Sequence, residues 1–103
     1  MEKIEKILKS MGLPYRYHHF EEEEAVAPPF LIYIEEQSSN FYADGITYVK
    51  NSQCSIELYT DSRDKKLEEK LEKLMKDNGL TWMAEYGYIE SENMFLIRYE
   101  MEV

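Results

Sequence analysis

Between Pro28 and Thr60 the chain reads Pro-Pro-Phe-Leu-Ile-Tyr, then Asn-Phe-Tyr-Ala-Asp-Gly, then Cys-Ser-Ile-Glu-Leu-Tyr-Thr. Short runs rich in aromatic and β-branched residues, cut by turn-forming residues, commit this stretch to strands. Phe30-Leu31-Ile32-Tyr33-Ile34 is continuously apolar, with prolines before it and Glu35-Glu36-Gln37-Ser38-Ser39-Asn40 after it, the pattern of a central strand. Asp44-Gly45 marks a turn between Phe41-Tyr42-Ala43 and Ile46-Thr47-Tyr48-Val49. Lys50-Asn51-Ser52 then turns the chain into Gln53 to Thr60, and these last two strands are expected to pair as an antiparallel hairpin. No nucleophile in the stretch stands beside a base.

Helical spacing flanks this block. Ile4, Ile7, Leu8 and Met11 fall on one face, with Glu2 before Lys6 and Glu5 before Lys9 on the other, and Gly12 and Pro14 end the element. Leu67, Leu71, Leu74 and Met75 form a second stripe, opposite Glu69 with Lys73 and Glu72 with Lys76. Thr60, Asp61 and Ser62 offer capping oxygens, Asp61 and Asp64 favour the positive helix end, and Asn78-Gly79 closes it. Trp82, Ala84, Tyr86 and Tyr88 then alternate with polar or small neighbours, and Phe95, Ile97, Tyr99, Met101 and Val103 do the same beyond a loop at Glu90-Ser91-Glu92-Asn93, predicting two more strands. A short amphipathic helix is marginal alone and needs a sheet to lie on. The expectation is an α+β two-layer sandwich: a mostly antiparallel sheet of four to five strands, two helices on one face, in the order α-β-β-β-α-β-β.

At 103 residues the chain predicts a single domain, 1–103, and its 44% hydrophobic content lies above the range in which chains stay disordered. No apolar run approaches the roughly 20 residues of a membrane helix, and the start lacks a basic-then-apolar leader, so synthesis in a cytoplasm and no membrane partner are expected. A lone Cys54 excludes an internal disulfide framework and, alternating with Ile56 and Leu58, reads as a small buried hydrophobe. The net charge of −9, from 21 acidic and 12 basic residues, sets the surface against phosphate backbones and against sequence-specific nucleic-acid binding. It suits a surface past which DNA slides, or one that imitates DNA.

Between Leu13 and Pro29 lies a connection of 17 residues, where the usual helix or strand connection has about two to eight. Tyr15, Tyr17 and His19 alternate as in a short extended segment, but Glu21, Glu22, Glu23, Glu24 and two prolines predict a solvated, flexible acidic loop at about 18–29. His18 and His19 beside these glutamates hold metal-ligand atoms in number. Adjacent residues of an extended chain point apart, and no further histidine completes a set, so no metal or cofactor site is assigned. The nine tyrosines lack the cationic track that stacking on nucleic acid requires, which leaves packing and subunit contacts as their use. Phosphate-binding, dinucleotide-binding and nucleophile-elbow signatures are absent, no spacing singles out a carboxylate pair, and the chain is read as a non-enzyme. Candidate interface residues are His18, His19, Phe20, Glu21, Glu22, Glu23 and Glu24 in the long loop, and Phe41, Tyr42 and Asp44 in the segment 38–45.

Four groups of residues carry a resemblance: Pro28-Pro29-Phe30-Leu31-Ile32-Tyr33; Asn40-Phe41-Tyr42-Ala43-Asp44-Gly45 followed by Tyr48; Ile56-Glu57-Leu58-Tyr59-Thr60 leading into a charged helix; and the terminal Tyr-Glu-Met-Glu-Val. In pattern and element order, from Glu2 to Val103, the chain resembles the small tail-completion or tail-terminator proteins of long-tailed bacteriophages and prophages. That resemblance implies a cofactor-free structural protein made in the bacterial host cytoplasm and placed in the virion at the head-tail joint. It also implies a ring of copies, commonly six, between the tail-tube protein and the head connector. The alternative reading of the charge is an acidic DNA mimic that inhibits a host DNA-binding protein. Such a mimic needs carboxylates spaced like phosphates along a face, whereas many glutamates here gather in one loop.

Overall fold

A computed structural model of the chain describes residues 2–21, 24, 26–36, 42–43, 46–47 and 53–102. Helix α1 (Glu2–Met11) leads into strand β1 (Tyr15–Tyr17), then β2 (Phe30–Glu36), β3 (Tyr42–Ala43), β4 (Ile46–Thr47) and β5 (Gln53–Thr60). Helix α2 (Lys65–Asp77) follows, and β6 (Trp82–Ile89) and β7 (Met94–Glu102) complete the fold. Five strands form one mixed sheet in the order β1-β2-β5-β7-β6. Only β1 runs parallel to its neighbour, and the other three pairings are antiparallel. Helices and sheet make an α+β fold whose main-sheet order along the chain is α-β-β-β-α-β-β, as expected from the sequence.

One of the first three main-sheet strands differs from those the sequence suggested: β1 stands where the segment 46–49 was expected. Tyr15–Tyr17, where the alternation suggested a short extended segment but no sheet strand was counted, is an edge strand held parallel to β2 with Tyr15 opposite Leu31 and Tyr17 opposite Tyr33. The expected hairpin of 46–49 with 53–60 does not form: Ile46 and Thr47 pair with Ala43 and Tyr42 in a separate two-stranded sheet. Strand β5 has no edge left for them, because β2 occupies one side from Gln53 to Tyr59 and β7 the other from Gln53 to Thr60. The turn residues Asp44-Gly45 and Lys50-Asn51-Ser52 lie outside the described residues.

Residues directly opposite one another in antiparallel strands share a face. The register therefore sets Leu31, Cys54, Ile56, Leu58, Ile97, Tyr99 and Met101 on one face of the sheet. Against it lie Ile4, Ile7, Leu8 and Met11 of α1 and Leu71 and Met75 of α2, all in one buried cluster. Cys54 belongs to that cluster, as its alternation predicts. The α2 cap is Asp64, whose side chain accepts from the Leu67 N–H at 3.1 Å. Thr60 to Ser62 lie too far upstream, since a capping oxygen must immediately precede the first helical residue to reach the free N–H groups of the first turn. Gly12 and Gly79 take left-handed conformations, φ +73° and +74°, just past the two helices.

Tyr99 lies at the centre of this interface. Its ring is completely buried, and its hydroxyl donates to Glu72 Oε2 at 2.9 Å, tying β7 to α2. Burial, with the Glu72 hydrogen bond adding to it, raises the Tyr99 phenol far above the ordinary tyrosine range. Glu72, expected to face Lys76, is thus recruited to the core rim, and Lys73 pairs with Asp77 at 3.0 Å.

The Ile56–Tyr99 row should therefore dominate stability. Ile56→Ala is expected to cost about 2–5 kcal/mol, and Tyr99→Phe, which keeps the ring and removes one hydrogen bond, about 1 kcal/mol. Urea unfolding of both variants checks this, and an Ile56→Ala midpoint equal to that of the parent would refute the placement of the core.

Candidate interaction surface

The helices cover one face of the sheet, so the opposite face holds whatever the fold does not need for its core. Three cross-strand rows compose it. The middle row runs Ile32, Glu57, Arg98, Glu85 from β2 to β6. On one side of it lie Phe30, Tyr59, Leu96 and Gly87, and on the other Ile34, Ser55, Glu100 and Met83. Apolar side chains thus gather toward β2 while charge gathers around Arg98, which also meets Glu100 Oε1 at 3.2 Å. Tyr59 donates to Glu57 Oε1 at 2.9 Å, and burial together with that carboxylate pushes its phenol far up.

The loop after β1 folds onto the apolar end of this face. Phe20 meets Phe30 edge to face at 5.2 Å between centroids, and Phe30 stacks on Tyr59 at 4.8 Å. Arg16 holds the arrangement from β1: its guanidinium lies 5.3 Å from the Phe20 ring centre and 2.7 Å from Glu24 Oε2. The Arg16 hydrogen bond holds the Glu24 carboxyl below the usual glutamate range, helped by the Glu21 backbone N–H, which donates to Glu24 Oε1 at 3.4 Å.

Of the candidate residues named from sequence, the loop brings five together. His18 takes a left-handed backbone, φ 71°, and its Nδ1 lies 3.3 Å from His19 Nδ1, while His19 Nε2 lies 3.1 Å from Glu21 Oε1. Both ring nitrogens of His19 are thereby engaged. Phe20 is half-buried against Phe30, and Glu24 is drawn to Arg16. Tyr42 is placed in β3, whereas Glu22, Glu23, Phe41 and Asp44 lie outside the described residues. Among the described residues no three His, Cys, Asp or Glu side chains gather as a metal site.

Sequence reasoning gave no role to Arg16 or Arg98. Their signal was present: Arg98 occupies the polar phase of the last alternation between Leu96 and Glu100, and Arg16 separates two tyrosines. What the pattern lacked was the register that sets Arg98 between Glu57 and Glu85.

A second staple joins α2 to β6. Arg63 Nε and Nη2 donate to the buried Glu68 at 3.1 and 3.2 Å, and the same guanidinium lies 4.8 Å from the Tyr86 ring centre. The hydrogen bond to Glu68 holds the Arg63 guanidinium above its ordinary range.

No protein-family model matches the chain, and no curated protein matches it in sequence.

Because the folded Glu24 pKa is depressed, the loop anchor is present above the unfolded glutamate value and is lost as pH falls through the lowered folded value. NMR titration is expected to show the Glu24 carboxyl ionising below a free glutamate, with Arg16→Gln returning it upward and weakening the Phe20–Phe30 contact. An unshifted Glu24 that ignores Arg16→Gln would refute the anchor.

Proposed function

We propose that this chain is a structural subunit of the head-tail joint of a long-tailed bacteriophage or prophage. In this role it completes the tail by forming a ring on the head-proximal end of the tail tube, facing the head connector. The observation that carries the reading is the one-sided sandwich. Both helices lie on one face, and on the opposite face, beyond the buried Phe30 and Ile32, half-buried Leu96 and Arg98 and exposed Met83, Glu85 and Glu100 remain open to a partner. Mixed apolar and charged surfaces of this kind suit protein contacts. The resemblance in residues 28–33, 40–48 and 56–60 adds the particular assembly to that general conclusion.

Electrostatics is compatible with the role. A ring of copies each carrying −9 repels a DNA backbone and lets it pass without adhering. Arg98 is held among carboxylates at 3.2 Å from Glu100, so it adds little net positive field to its face.

Purified protein mixed with tail tubes that lack their terminal ring is expected to cap one tube end, visible by negative-stain microscopy as a disc of constant diameter. Light scattering of the mixture should show a defined oligomer bound to the tubes. Bare tube ends beside a strictly monomeric protein at high concentration would refute the proposal.

A further inference from the structure

Strand β6 ends the sheet on one side, and among the described residues nothing pairs with its outer edge. It has eight residues, Trp82–Ile89, with one charged side chain, Glu85, and neither lysine nor proline. Sheet edges are normally blunted by such residues or covered, because a bare edge offers its backbone N–H and C=O groups to another strand. Here the flanking side chains are open as well: Met83 is 75% exposed on one face, and Tyr86 60% and Tyr88 49% on the other. Gly87, a residue that weakens a strand interior, sits mid-strand with nothing within 4 Å of where a Cβ would be. A strand glycine with open space marks a place where another chain can approach closely.

We propose that this edge pairs with β6 of a second copy, antiparallel and two-fold symmetric about Tyr86. Symmetry restricts the choices. A two-fold axis that joins two antiparallel edge strands stands perpendicular to the sheet, so each residue meets one of the same face. The two registers that pair the most of β6 centre on Glu85 or on Tyr86. Centring on Glu85 sets two carboxylates directly opposite each other, which is destabilising. Centring on Tyr86 stacks the two tyrosines across the axis and pairs Met83 with Ile89 and Ala84 with Tyr88. Glu85 then faces Gly87, where the open space receives its side chain. The charge and the glycine thus select one register.

This contact goes beyond the ring reading. A cyclic ring joins two different patches, whereas a two-fold contact joins one patch to itself. The β6 pair is therefore an association of the free protein, or of one ring with another, and it stands or falls separately.

Sedimentation or light scattering of the full chain over rising concentration is expected to show a monomer–dimer equilibrium. Gly87→Glu, at a site with room for a side chain, sets carboxylates opposite Glu85 twice and is expected to raise the dimer dissociation constant about tenfold. Under an added oxidant Tyr86→Cys should cross-link to itself, with the native Cys54 buried and not competing. Ala84→Cys should not, since four residue steps separate the two copies of residue 84 by roughly 13 Å, beyond disulfide reach. A protein that stays monomeric, a dimer indifferent to Gly87→Glu, or cross-linking by Ala84→Cys as ready as by Tyr86→Cys would overturn the inference. Dimers with bare tail-tube ends would uphold it while removing the ring reading.

Discussion

Tyr99 must lose all contact with water on its ring and still satisfy its hydroxyl, and the two-layer arrangement follows from how that is done. The ring lies under α2 at the middle of the sheet, and Glu72 of that helix accepts the hydrogen bond its hydroxyl donates. A buried hydroxyl without a partner costs about 1–3 kcal/mol, so the bond fixes which face of α2 turns inward. Leu71 and Met75 flank the half-buried Glu72 on the helix and are themselves fully buried. In the first turn of α2, Glu68 is buried and is satisfied by Arg63, which also lies over Tyr86. Two polar ties thus set the position of an otherwise slippery apolar stripe, one to β7 and one to β6.

With both helices committed to one face, the other must be compatible with solvent or a partner. It achieves this in two ways. Toward β2, aromatic rings cover one another, Phe20 over Phe30 over Tyr59, with Arg16 and Glu24 closing the outside. Toward β7, carboxylates surround Arg98. The first region is filled by the chain's own loop, which leaves the second and the β6 edge as the parts of the sheet open to a partner. The loop named first from sequence as a docking element therefore has a prior use: its aromatic residue seals the sheet.

Both helices, β6 and β7 were legible because each carries its own period, 3.6 or 2, over eight residues or more. The central strand Phe30–Glu36 was legible from its continuous apolar run. Strand β1 showed only as a short alternation at Tyr15, Tyr17 and His19, and its place in the sheet was hidden because its partner, β2, lies beyond the whole loop in sequence. The false hairpin arose from treating adjacent strands as paired, when β5 reaches past its neighbour to β2 and β7. Contact residues were hardest to read. Which glutamates matter depends on cross-strand register, and nothing in the run Glu21 to Glu24 distinguishes Glu24 until Arg16 is placed beside it.

The two ends of the sheet differ in a way that directs association. Strand β1 is three residues long and its arginine is already bound to Glu24 and Phe20, so it offers little backbone and few free side chains. Strand β6 offers eight residues and side chains exposed on both faces. Two copies each carrying −9 repel, yet β6 itself carries one carboxylate, Glu85, which the proposed register sets opposite a glycine. Repulsion between exposed charges falls away beyond a Debye length of about 8 Å at physiological ionic strength, whereas strand pairing acts at contact. The acidic surface therefore opposes the pairing mainly through charges close to the seam.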